Sequence, residues 1–179
     1  MSPGLSMGLA VLLPLLAAVP IGLAGARPNL REAVTLVTAL VVFVLVVGLL
    51  PGVLAGDRPE LVVLELLPGL PHKFTLEPLG MIFALVASFL WLVTSVYSIG
   101  YMRGHHEKNQ TRFYICFAIA IASARGVALA GNMLTLFVAY EVLSVSTYPL
   151  VSHAGTEQAR RAGRVYLGIL LGTSIGFQL

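Results

Sequence analysis

The chain has 179 residues, of which 58% are hydrophobic and only 11% charged. A soluble domain carries roughly a quarter charged residues, so this composition excludes a water-soluble globule and points to an integral membrane protein. The formal net charge of +3 does not signal nucleic acid, because the basic residues cluster in short loops between apolar runs, and the single Cys116 excludes a disulfide framework within the chain.

Six apolar runs follow one another. The first, residues 4–25, has no preceding positive side chain and is long for a signal-peptide core, so a retained helix is expected, kinked at Pro14 and Pro20. The second, 33–53, is rich in Val and Leu and shows no turn signal before Pro51-Gly52, which favours a membrane helix over a strand. Ala55 to Thr75 is the longest polar interval. Leu61–Leu67 inside it is too short to span and is expected as a strand or an interfacial segment. The third run, 76–101, places Tyr97 and Tyr101 at the level of an aromatic belt. A polar loop containing His105-His106 leads to the fourth run, 113–130, and Gly131-Asn132 turns tightly into the fifth, 131–152. The sixth, 164–179, is incomplete, short of the roughly twenty residues a span needs. The expected fold is an all-α membrane protein. A single transmembrane domain over 1–179 forms a bundle of about six helices.

Eight basic residues fall in the loops after the odd-numbered runs, against Arg58 and Lys73 on the other side. The positive-inside rule then places the N-terminus outside and the odd-numbered loops in the cytoplasm, in the cell (cytoplasmic or inner) membrane.

Glu141 is the strongest functional lead. About ten residues separate it from Gly131 and about twelve from His153, so its carboxylate is expected roughly 15 Å from either face, at the membrane midplane. A charge at that depth is rarely present without a partner or a task. The expected task is proton or cation exchange; the plain alternative is a neutral carboxyl bonding a neighbouring helix. Arg164 could reach inward as an electrostatic partner, but arginine stays charged and is a poor relay; otherwise it is a cytoplasmic anchor. His153, about three turns from Glu141, titrates near neutrality and is either a proton entry point or an ordinary interfacial histidine. Pro149 frees a carbonyl near Val145, which the nearby Ser and Thr hydroxyls could satisfy, and is expected as a helix break beside the acid. Arg125 is expected to snorkel to the outer interface. Gly168, Gly172 and Gly176 suit close helix packing. His105-His106 lacks the further ligands of a metal site, and no cofactor motif, metal spacing or catalytic site is present.

The segment from Gly131-Asn132 through Leu134–Phe137 and Tyr140-Glu141 to Thr147-Tyr148-Pro149-Leu150 resembles the fifth helix of the antiporter-like proton-translocating membrane subunits. These occur in complex I (the L, M and N chains of NADH-quinone oxidoreductase), in Mrp-type Na+/H+ antiporters (the D-type component) and in membrane hydrogenases. Tyr97–Met102 and Arg112-Phe113 fit the same family, over roughly Leu76–Leu179. The resemblance implies a fold of about fourteen helices, with Glu141 matching a glutamate that pairs with a lysine on a later helix. Arg164 departs from the family there, where a lysine is common. It further implies protons, with Na+ as the second candidate ion, other membrane subunits and the lipid bilayer as partners, and a place in a proton-translocating dehydrogenase or hydrogenase complex. The later helices are missing, so the chain is expected as a fragment, a truncated product or one part of a split subunit. The rival expectations are a non-transporting scaffold and a membrane anchor for a redox enzyme.

Overall fold

The computed structural model describes residues 2–67 and 69–178. Its elements are α1 (Pro3–Leu23), α2 (Pro28–Leu54), β1 (Glu60–Leu67), β2 (Leu70–Thr75), α3 (Pro78–Gly104), α4 (Gln110–Ala128), α5 (Met133–Val151) and α6 (Glu157–Gln178). The first five helices are long and apolar enough to cross a membrane, and the chain is a multi-pass helical membrane protein. Helices are the natural solution there, because each satisfies its own backbone where water is absent. Pro3, Pro28 and Pro78 open α1, α2 and α3, at the position where a missing N–H costs nothing.

Helices α1 to α4 close into a ring: α1 packs on α2, α2 on α3, α3 on α4 and α4 back on α1. The buried core lies inside it, with Met7, Ala10 and Ile21 of α1, Val42 and Val46 of α2, Trp91 of α3 and Ala118 of α4. Helix α5 packs on the outside of α4, where Gly126 admits Ala139, and α6 packs on α5. Among the described residues α6 therefore has one main neighbour, and much of it is exposed.

One end of the bundle is covered by the β1–β2 hairpin, so the strand alternative for Leu61–Leu67 is the one found. Lys73 of β2 pairs with Glu60 of β1 at 2.8 Å. The α4–α5 turn is stitched to β2: the Thr75 N–H donates to the Leu129 carbonyl and the Gly131 N–H to the Lys73 carbonyl, both at 2.8 Å. A Cβ at Gly131 would meet Thr75 Oγ1 at 2.6 Å, which is why the turn requires glycine. Asn132 caps α5 by accepting from the Thr135 N–H at 2.8 Å.

Two expectations are corrected. The sixth helix begins at Glu157, not at residue 164, because the Thr156 hydroxyl caps the Ala159 N–H at 3.2 Å and Glu157 sits in the first turn. The glycine stripe Gly168, Gly172, Gly176 makes no close packing among the described residues; a Cβ at any of the three would meet nothing within 4 Å.

Candidate functional site

Glu141 sits in the middle of α5, half-buried on the side that α6 covers. The Ser174 hydroxyl of α6 donates a hydrogen bond to Glu141 Oε1. The register that brings them together is set by a small residue. Gly163 of α6 is buried against the Tyr148 ring of α5 and Ser152 at its C-terminal cap, at 3.1 and 3.4 Å from where its Cβ would stand. From that contact the two antiparallel helices run inward together. Glu141 lies eleven residues from Ser152, and Ser174 eleven residues from Gly163.

Ser174 Oγ also lies 3.1 Å from the Leu171 carbonyl. A hydroxyl has one proton and two lone pairs, so Ser174 can serve both charge states of Glu141. It donates to the ionised carboxylate. When Glu141 is protonated, the carboxyl donates to Ser174, whose own proton turns to Leu171.

The other sequence-predicted residues are not brought to this point. Arg164 is exposed beside Gly163, ten residues or about 15 Å along α6 from Ser174, and makes no ion pair with Glu141. His153 follows α5 at the Ser152 end, its ring edge-on to Phe113 at 5.8 Å. Pro149 does not break α5, which runs on to Val151. It falls in the last turn, where one carbonyl bond is lost rather than a helix interrupted. The neighbouring hydroxyls do not take up the Val145 carbonyl: Ser146 donates to Leu143 and Thr147 to Ser144, both at 2.9 Å.

Two buried charge arrangements escape the sequence. At the end opposite the hairpin, Glu32 is 3% exposed and is held between Arg31, at 3.4 Å, and Arg103. Arg31 donates to Gln110 at 2.8 Å and to Thr111 at 3.1 Å, and stands 5.0 Å from the Tyr114 ring centre. This cluster ties α2, α3 and α4 together, whereas the sequence showed only a short basic loop.

The second is Arg125, which does not snorkel outward. It is fully buried, with Nη1 donating to the Ala10 carbonyl at 2.9 Å and the guanidinium 5.4 Å from the Trp91 ring centre. Side chains on a helix lean toward its N-terminus, and the N-terminus of α4 is at the far end, so Arg125 is aimed into the bundle. Pro14 was the available signal: lacking an N–H, it leaves the Ala10 carbonyl unpaired within α1.

Fold and site define a class, a multi-pass helical membrane protein with ionisable groups held inside its spans. Comparison narrows it. Residues 69–114 match the family described as NADH-ubiquinone oxidoreductase (complex I), chain 5 N-terminus. The chain is 26% identical over 125 residues to Na(+)/H(+) antiporter subunit A1 of Staphylococcus aureus (strain bovine RF122 / ET3-1), covering 67% of this chain and 15% of that protein. It is 26% identical over 102 residues to NADH-quinone oxidoreductase subunit N of Desulforudis audaxviator (strain MP104C), covering 57% of this chain and 20% of that one. In fold it matches a chain of the membrane-bound sulfane sulfur reductase, an archaeal respiratory membrane complex, with TM-score 0.79 and 17% identity over 90% of this chain and 33% of that chain. The chain thus resembles the N-terminal part of the antiporter-like membrane subunits, and it spans only a minor part of the length of these relatives.

Proposed function

We propose that the chain is the N-terminal part of a proton-translocating, or Na+/proton-translocating, membrane subunit that works in a multisubunit antiporter or complex I-like assembly. Glu141 exchanges the ion. The observation that carries this reading is a half-buried carboxylate in mid-span, free of any ion pair among the described residues and held by a hydroxyl that can serve both of its charge states. The loops at the end opposite the hairpin then face the cytoplasm and the N-terminus faces outside, as the charge distribution implies. Other membrane subunits cover the lipid-facing sides.

The Glu141–Ser174 bond also supports a second reading, a scaffold in which the pair only joins α5 to α6. Glu141→Gln separates the two. Glutamine keeps an oxygen that Ser174 can bond but cannot take up a proton. In the complete complex, reconstituted in vesicles, transport per assembled complex is expected to fall on the order of a hundredfold. Unchanged transport would leave the scaffold.

A further inference from the structure

Inside the α1–α4 ring runs a buried polar seam that the Glu141 site does not use. Helix α3 turns Ser88, Trp91, Ser95 and Ser98 to the interior at helical spacing. Helix α4 contributes Tyr114 and Arg125, and all six residues are buried. Successive members are neighbours. Arg125 stands 5.4 Å from the Trp91 ring centre, Ser95 and Ser98 follow Trp91 one and two turns on along α3, and Arg31 stands 5.0 Å from the Tyr114 ring centre.

Ser88 and Ser98 bond backbone carbonyls of their own helix. The other members are unsatisfied. Arg125 Nε and Nη2, Trp91 Nε1, Ser95 Oγ, Tyr114 Oη and Arg31 Nε have no hydrogen-bond partner among the described residues. Six orphaned polar atoms on one seam are far more than a dry core tolerates. Arg125 adds a guanidinium with no carboxylate beside it among the described residues.

We propose that a file of bound water threads this seam, from Arg31 and Tyr114 at one end to Arg125 and Trp91 at the other. The chemistry selects water. The Arg and Trp N–H groups need an acceptor, whereas the Ser95 and Tyr114 hydroxyls can take either role, and water offers both. The file lies inside the ring, while Glu141 lies outside it on the α5–α6 side, so the hydrated interior is independent of the ion-exchange role of Glu141.

Radiolytic hydroxyl-radical footprinting of the full-length protein in nanodiscs tests this, because radicals formed from bound water oxidise the side chains that water touches. Trp91 and Tyr114 are expected to oxidise severalfold faster than Met7 and Met81, which are equally buried and intrinsically more reactive. Ser95→Val, an apolar plug in mid-seam, is expected to lower oxidation of both aromatic residues severalfold, with Met7 and Met81 unchanged; Ser95→Thr keeps the hydroxyl and the labelling. Oxidation of Trp91 and Tyr114 no faster than the two methionines in the unmodified protein, or rates unmoved by Ser95→Val, would overturn the proposal.

Discussion

At the residue scale, the contact between Arg125 and Ala10 shows how two costly residues stabilise one another. Pro14 strips the Ala10 carbonyl of its helical donor, and Arg125 donates to it from the neighbouring helix α4. Neither group is well accommodated alone in a low-dielectric interior. The pairing predicts a measurable coupling. Arg125→Leu leaves the carbonyl orphaned beside Pro14, but Pro14→Ala restores its donor. In a double-mutant cycle, unfolding in mild detergent is expected to show Arg125→Leu costing about 1–2 kcal/mol less in the Pro14→Ala background. A cycle that closes to zero would mean that the bond contributes nothing.

At the element scale, small residues and the hairpin decide how helices meet. Gly163 lets α6 approach α5 closely enough to set the Glu141–Ser174 register, whereas Gly168 on the same helix has nothing within 4 Å. The same substitution should therefore act differently at the two positions. Gly163→Val is expected to destabilise by about 1–3 kcal/mol through overpacking against Tyr148. Gly168→Val should change stability by about 0.5 kcal/mol or less. Melting temperatures in detergent compare them. The hairpin carries its own pH dependence. Burial pushes His72 below its ordinary value of 6.5. The folded hairpin thus favours neutral histidine. Its stability is fully present above about pH 6.5 and is lost as pH falls through the lowered folded value. Protection of the β2 amides, taken relative to the intrinsic exchange rate at each pH, is expected to fall between pH 7 and 5, and His72→Phe should remove that dependence.

At the scale of the whole molecule, the chain is a closed four-helix ring with two further helices attached to one side. The ring has a shared core and a buried ion cluster joining α2, α3 and α4. Helix α6 leans mainly on α5 among the described residues, with Val165, Ile169 and Ile175 exposed. Low contact density gives low local stability. In the 179-residue chain reconstituted alone, the α6 amides are expected to exchange faster than those of α1 to α4. Equal protection would mean that α6 is held as firmly as the ring.

The helices were legible in the amino-acid pattern, because twenty-residue apolar runs in a bilayer have few alternatives. Glu141 drew attention as the one acid in its apolar run, and the Tyr-Glu motif and its surroundings carried the family resemblance. Helix starts such as Glu157 were partly legible: the Thr156 cap was present, but the glutamate and arginines nearby looked like a loop. Partnership came only from packing. Ser174 is one of several serines in apolar segments, and nothing local marks it; an antiparallel register fixed at Gly163 brings it to Glu141 and leaves Arg164 about 15 Å away. Arg125 could point outward or inward by composition alike. The direction of its Cα–Cβ bond, together with a carbonyl freed by Pro14 more than a hundred residues earlier, turned it in. Helix formation is local and periodic, so the sequence contains it; which polar atom meets which depends on how distant helices pack.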